Sequence, residues 1–302
     1  MRLDRLRPYD GLTPDVVLDA LESVGYRGDG RLLALNSYEN RVYQVWLEDR
    51  SSVVAKFYRP ARWTDAQILE EHAFATELAD REIPVVAPLR TDRATLHHFA
   101  GLRFAVYPRR GGRAPELENL QTLEWVGRFL GRMHAVGATE RFRERPALEI
   151  ENLGTEPRDW LLAHALIPPD LKEAWSSVSA QALEGARRAW ERAGAIGAVR
   201  LHGDCHVGNI LWTDDGPHFV DLDDARTGPA VQDLWMLLPS EPAEAGKSLR
   251  ALIAGYERFF AFERRELLLV EALRTLRLLH YSAWIAKRWD DPAFPAAFPW
   301  FN

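Results

Sequence analysis

Apolar residues follow a strand rhythm in the first third of the chain and a helical rhythm afterwards. Leu32-Leu33-Ala34-Leu35, Val42-Tyr43-Gln44-Val45-Trp46-Leu47 and Ser52-Val53-Val54-Ala55-Lys56-Phe57-Tyr58 are β-branched and aromatic runs separated by polar turns such as Glu48-Asp49-Arg50. They predict an antiparallel meander. After Pro60, Ile68, Leu69, Phe74 and Leu78 recur with acids between them, so a long helix is expected over 64–81 with Thr64 as its cap. Ile83-Pro84-Val85-Val86 and then Leu102-Arg103-Phe104-Ala105-Val106-Tyr107 return to strand character.

Pro108-Arg109-Arg110-Gly111-Gly112 breaks the pattern, which places a boundary near residue 108. Beyond it, Leu123, Val126, Leu130 and Met133 mark a helix over 121–136, and the stretches 161–192 and 264–289 read as further helices. Short strands interrupt them only within 199–223. The expected fold class is therefore α+β, with a small antiparallel sheet and one long helix in residues 1–107 and a larger, mainly helical lobe in residues 108–302.

Length and composition fit this division. A chain of 302 residues holds two modest domains, and 47% hydrophobic with 27% charged residues is ordinary for a globular protein. A net charge of -6 argues against wholesale affinity for nucleic acid or anionic membranes. The single cysteine, Cys205, forms no internal disulfide, the charged N-terminus lacks an apolar leader, and no run approaches the roughly 18 apolar residues of a membrane span. A cytoplasmic monomer is expected. Only four lysines occur, Lys56, Lys172, Lys247 and Lys287, which draws attention to each.

The segment richest in chemistry is Leu201-His202-Gly203-Asp204-Cys205-His206-Val207-Gly208-Asn209-Ile210-Leu211-Trp212, followed by Thr213-Asp214-Asp215-Gly216 and Pro217-His218-Phe219-Val220-Asp221-Leu222-Asp223. Apolar runs around an Asp-Gly turn predict a hairpin, with Asp214 and Asp215 as turn residues. Its base would bring Asn209 and Asp221 together, an amide oxygen and a carboxylate suited to Mg²⁺. H-x-D-x-x-x-x-N followed by a hairpin and a second Asp is the kinase catalytic-loop spacing, with Asp204 as the base for an acceptor hydroxyl. Other readings of the segment are a transition-metal cluster of His202, Asp204, Cys205 and His206, and a nucleophilic or oxidation-sensitive Cys205. Lys56, ending Val53-Val54-Ala55-Lys56, is the candidate cation for ATP phosphates, with Glu70 or, preferably, Glu71 as its partner. No G-x-G-x-x-G precedes it; Asn36-Ser37-Tyr38-Glu39-Asn40 stands there, either covering phosphate or forming a plain surface turn.

These segments resemble the aminoglycoside-phosphotransferase-like branch of the protein-kinase-like superfamily. A group of bacterial serine/threonine kinases within it is closer still, through Leu35-Asn36-Ser37-Tyr38-Glu39-Asn40-Arg41-Val42-Tyr43, Phe57-Tyr58-Arg59-Pro60, Arg62-Trp63-Thr64, Val220-Asp221-Leu222-Asp223-Asp224-Ala225-Arg226 and Trp289-Asp290-Asp291-Pro292-Ala293-Phe294-Pro295. The resemblance implies a two-lobed fold whose N-terminal lobe binds nucleotide and whose C-terminal lobe carries catalysis and substrate. It implies a serine/threonine protein kinase of stress response with ATP as co-substrate, Mg²⁺ as cofactor and a protein bearing Ser/Thr hydroxyls as partner. By the same likeness Asp204 and Asp221 are catalytic, Asn209 and Asp221 hold the metal, Ser37, Lys56 and Glu71 serve ATP, Ser37 accepts phosphate, and Asp233 braces the catalytic loop. Family members are expected to continue past Asn302. The competing expectation is a small-molecule kinase acting on an amino alcohol, sugar or aminoglycoside hydroxyl, since one fold serves both acceptor classes; a silent nucleotide-binding module is a third.

Overall fold

The protein, described as a computed structural model, is defined over residues 8–164 and 167–301. It divides into two compact units, one holding the chain up to Gly112 together with the segment from Asp290 onward, the other Arg113–Trp289.

The first unit is built on a five-stranded antiparallel sheet. Its strands are β1 (Gly28–Ala34), β2 (Arg41–Leu47), β3 (Ser52–Phe57), β4 (His97–Phe99) and β5 (Leu102–Pro108), in the order β1-β2-β3-β5-β4. Helix α1 (Pro14–Glu22) covers one face, where Val17, Ala20 and Leu21 join Val45, Val53, Ala55, Phe57, Phe104 and Val106 in a buried core. Helix α2 (Asp65–Asp80) covers the other, its Ile68 packing with Ala105, Tyr58 and Leu96. Thr64 caps α2 through a reciprocal box with Gln67, which satisfies two otherwise unpaired N–H groups. Ile83-Pro84-Val85-Val86, expected as a strand, is not one of the five: Ile83 N–H bonds back to Leu78 O at the end of α2, Val85 N–H bonds to Ile83 O, and Pro84 has no N–H.

The second unit is mainly helical: α3 (Leu120–Gly137), α4 (Glu156–Ala163), α5 (Lys172–Ala193), α6 (Gln232–Trp235), α7 (Pro242–Tyr256) and α8 (Val270–Ala286). Two small antiparallel pairs run among them, β6 (Val199–Leu201) with β9 (Arg226–Gly228) and β7 (Ile210–Thr213) with β8 (Gly216–Phe219). The single helix expected over 161–192 is two, since Pro168 and Pro169 fall between α4 and α5. The helix expected from 264 opens with a 3-10 stretch, Arg264–Leu269. The sequence reading carried this lobe to residue 302, whereas Asp290 onward, including α9 (Ala293–Ala297), groups with the first unit, where Asp291 is ion-paired with Arg41 and Arg59.

Helices α3 and α7 meet backbone to backbone. A Cβ on Gly127 would lie 2.1 Å from Leu252 O, one on Gly131 2.4 Å from Tyr256 O, and one on Gly255 2.0 Å from Glu124 O. Gly131→Ala should therefore force the helices apart at a cost of about 1–3 kcal/mol, lowering Tm by several degrees. Gly185→Ala, in α5 with open space around its Cβ position, should leave Tm unchanged or raise it. Calorimetry on the two variants checks the contrast.

Candidate active site

The loop between β6 and β7 is held by a buried carboxylate that its own sequence does not contain. Asp233 is fully buried at the start of α6; its Oδ2 accepts the His202 N–H at 2.7 Å and its Oδ1 the Gly203 N–H at 2.9 Å. His134, from α3, completes the set with Nε2 3.0 Å from Asp233 Oδ2. A carboxylate accepts only, so Nε2 carries the proton and Nδ1 accepts from the Tyr256 hydroxyl 2.9 Å away on α7. Burial pushes the Tyr256 phenol far above its ordinary pKa, so it stays a donor. The contacts at Gly131 and Gly255 thus set where His134 and Tyr256 stand.

Gly203 turns the chain with φ +87°, and a Cβ there would lie 2.0 Å from Asp224 O; only glycine fits. Asp204 follows, half-buried, with its carbonyl accepting the His206 N–H at 2.9 Å and the Asn209 Nδ2–H at 2.9 Å. Its carboxylate meets Arg277 of α8 at 2.6 Å through Oδ1 and His206 Nε2 at 3.4 Å through Oδ2. Burial pushes the Asp204 carboxyl up, but the hydrogen bond from His206 and the charge of Arg277 outweigh it and hold the pKa below the ordinary value. At neutral pH it is a carboxylate.

The hairpin forms as expected, with Ile210 opposite Phe219 and Thr213 opposite Gly216. Its base differs by one residue from the expected facing of Asn209 and Asp221: Asn209 O accepts from Val220 N at 3.0 Å, and Asp221 comes next. Asp221 takes a left-handed conformation (φ 61°, ψ 65°), unusual for a residue with a side chain, and its side chain is exposed. Strain of this kind persists only where neighbours fix the chain on both sides. Before it, Val220 O sits 2.9 Å from His202 Nε2; after it, Arg145 donates to Asp223 O and, at 2.8 Å, to Ala225 O.

Asp204, Asn209 and Asp221 are thus brought together in the second unit. Ser37, Lys56 and Glu71 lie in the first. Lys56 is buried on β3 opposite Ala105, which packs with Ile68, so the lysine is on the sheet face that α2 covers. Glu71 of α2 is buried, whereas Glu70 is partly exposed. The Ser37 hydroxyl donates to Asn40 O at 3.0 Å within its loop. Cys205 is fully buried and its thiol is pushed well above the ordinary pKa by burial, so neither nucleophilic attack nor oxidation suits it. Among the described residues no three His, Cys, Asp or Glu side chains are placed to hold a metal, against the transition-metal reading. Arg277 and His206, the partners of the Asp204 carboxylate, were not anticipated; Arg277 lies 73 residues away and no local spacing marks it.

Fold and loop together define a two-lobed phosphotransferase of the kinase-like class. The model of the phosphotransferase enzyme family matches residues 31–268, and the chain belongs to that family. It is 49% identical over 294 residues to stress response kinase A of Escherichia coli strain K12, covering 97% of this chain and 89% of that protein. It is 47% identical over 299 residues to a Salmonella typhimurium protein named serine/threonine protein kinase RdoA, covering 99% and 90%. Among solved structures, amicoumacin kinase in complex with AMP-PNP, Ca²⁺ and amicoumacin shares the fold at a TM-score of 0.75 and 20% identity, covering 97% of this chain and 92% of that one. The microcompartment-associated aminopropanol kinase does so at 0.71 and 19%, covering 95% and 94%. The chain is an ATP-dependent phosphotransferase.

The expected protein partner with Ser/Thr hydroxyls is corrected here. A spectinomycin phosphotransferase, a macrolide 2'-phosphotransferase, an aminoglycoside phosphotransferase in complex with ADP and streptomycin and a choline/ethanolamine kinase family protein share the fold as well, and the compounds these structures name are small molecules. No helix among the described residues is long and apolar enough to cross a membrane.

Glu266 supports the turn that presents Asp233, accepting the Val231 N–H at 2.8 Å two residues before it. Burial is the main cause that pushes its pKa up to about 7, with Glu263 adding to it and the Val231 hydrogen bond opposing. A folded pKa above the unfolded one means that its contribution to stability is complete below about pH 4.5 and is lost as pH rises through 7. Glu266→Gln keeps an acceptor and removes that titration. Unfolding midpoints of variant and parent should diverge from pH 5 to pH 8, the parent losing ground by on the order of 3 kcal/mol; parallel profiles would refute the assignment.

Proposed function

We propose that this chain uses Mg²⁺ and ATP to phosphorylate a hydroxyl of a small molecule such as an amino alcohol, a sugar or an aminoglycoside. The observation that carries the reading is an ionised Asp204 in a turn fixed on every side, next to an amide and a carboxylate at the base of a hairpin. Asp204 takes the proton of the acceptor hydroxyl as that oxygen bonds to the γ-phosphorus; the bond to the bridging oxygen breaks and ADP departs. Arg277 and His206 fix the carboxylate, so little reorganisation is needed during transfer.

The donor atoms suit the metal. The Asn209 amide nitrogen is spent on Asp204 O, which leaves its carbonyl oxygen for a cation, and Asp221 adds a carboxylate. An all-oxygen set of this size fits Mg²⁺, which binds through one or two protein groups plus phosphate and water. When bound, the ion neutralises charge on the phosphates. Lys56 is assigned to the α- and β-phosphates with Glu71 holding its ammonium, and the Asn36–Asn40 loop with Ser37 to the phosphate end of ATP. The acceptor class draws support from the small molecules named for the fold neighbours.

Labelled ATP and Mg²⁺ offered with a panel of amino alcohols, sugars and aminoglycosides, beside a generic protein and the enzyme itself, test the acceptor. Label on a panel compound supports the reading, and label on protein alone overturns it. Asp204→Ala should lower kcat roughly 10²–10⁴-fold with ATP affinity little changed, as measured by steady-state kinetics and calorimetry. Lys56→Ala should depress transfer strongly, while Lys247→Ala, which removes only an exposed pair with Glu244, should not; equal losses would mean that Lys56 has no special role.

A further inference from the structure

The loop Asn36–Asn40 is gripped by two arginines that meet at one distant carboxylate. Arg41 Nη1 donates to Tyr38 O at 3.1 Å and to Asn40 O at 3.3 Å. Arg59 donates through Nε to Glu39 O at 3.1 Å and pairs with Glu39 Oε1 at 2.9 Å, while its backbone N–H donates to Asn40 Oδ1 at 3.1 Å. Three successive loop carbonyls are therefore taken by two guanidinium groups. Both groups also bind Asp291: Arg41 Nη2 lies 2.8 Å from Oδ1 and 3.0 Å from Oδ2, and Arg59 Nη2 donates to Oδ2.

Asp291 opens the short segment that packs against this unit as α9. Its carboxylate is 5% exposed and Arg59 9%, so these charges are stabilised by one another rather than by water. Phe294, fully buried, lies under Arg59 with 5.5 Å from guanidinium carbon to ring centre. Phe298 meets Tyr38 edge to face at 5.2 Å. The segment thus touches the loop directly through a ring and indirectly through two cations. With Asp291 neutralised, two neighbouring guanidiniums would repel each other across the backbone that they hold.

We propose that Asp291 is a positioning residue for nucleotide binding, acting through Arg41 and Arg59 to set the carbonyls and N–H groups of the Asn36–Asn40 loop against the phosphates. The inference rests on the reading that this loop covers ATP. It assigns a nucleotide-site role to the C-terminal segment, far in sequence from the residues that serve ATP.

Asp291→Asn keeps the volume and removes the charge, and Phe298→Leu removes the ring contact while leaving the ion pairs intact. AMP-PNP with Mg²⁺ is titrated into the full chain, steady-state kinetics separate KM for ATP from kcat, and hydrogen exchange reports on residues 36–40. Both variants should weaken AMP-PNP binding and raise KM for ATP about 2- to 30-fold, the range of coupling through intermediary residues, with kcat at saturating ATP within about twofold. Exchange in the loop should quicken while that of α3 and α7 stays unchanged. Unaltered KM for ATP with unaltered loop exchange would overturn the proposal, and so would a fall in kcat alone. If Asp291→Asn does not fold, Arg41→Gln, which removes one of the two guanidiniums through which Asp291 acts on the loop, decides on the same measurements. Parent protein that fails to bind AMP-PNP would sink the phosphotransferase reading itself, a result distinct from parent binding with variants that match it.

Discussion

The second unit depends on one buried carboxylate. Asp233 accepts two consecutive backbone N–H groups of a loop 30 residues away and a ring N–H from His134. Removing any of those donors would leave a buried charge short of partners, which costs far more than the net worth of a hydrogen bond. The glycine contacts of α3 with α7, the Glu266 acceptor behind Val231 and the fit of Gly203 against Asp224 O all bear on where this carboxylate and its donors stand. The loop between β6 and β7 is thus over-determined, and a residue as unfavourably placed as left-handed Asp221 can be tolerated beside it.

The first unit solves a different problem. The central strands β3 and β5 are covered on one face by α1 and on the other by α2, so a lysine on β3 must lie against a helix rather than in water. Burial of Lys56 and Glu71 in one layer is tolerable for the fold only if charged groups there satisfy one another or a ligand. A different economy governs the Asn36–Asn40 loop. It lacks the glycines that would let a backbone wrap phosphate unaided, and its shape is imposed by guanidinium groups on its own carbonyls.

Sequence made the periodic parts legible. The capped helix at Thr64, the β2–β3 ladder and the hairpin at Asp215-Gly216 follow local rules of spacing and turn chemistry, and each formed within a residue or two of expectation. That Asp204, Asn209 and Asp221 fall on one loop and the base of the hairpin after it was legible because their spacing is itself local. Arg277 and Asp291 were not: each acts across 73 or more residues, through contacts that no periodicity encodes. The split of α4 from α5 was missed although Pro168-Pro169 announces it, because apolar residues continue in the sequence through Ala165-Leu166-Ile167 up to the prolines. Acceptor identity stayed hidden for a chemical reason, since the groups proposed to move the proton and hold the phosphates are indifferent to what carries the hydroxyl.

Cys205 is the one thiol in the chain, and it is sealed within the turn between Asp204 and His206. A buried, un-ionised thiol reacts with an alkylating reagent only when its surroundings open. Its modification rate in the folded protein therefore clocks the opening of the β6–β7 loop, with no label to introduce and no other sulfhydryl to contribute background. The loop carries a built-in gauge of its own rigidity, readable with and without nucleotide.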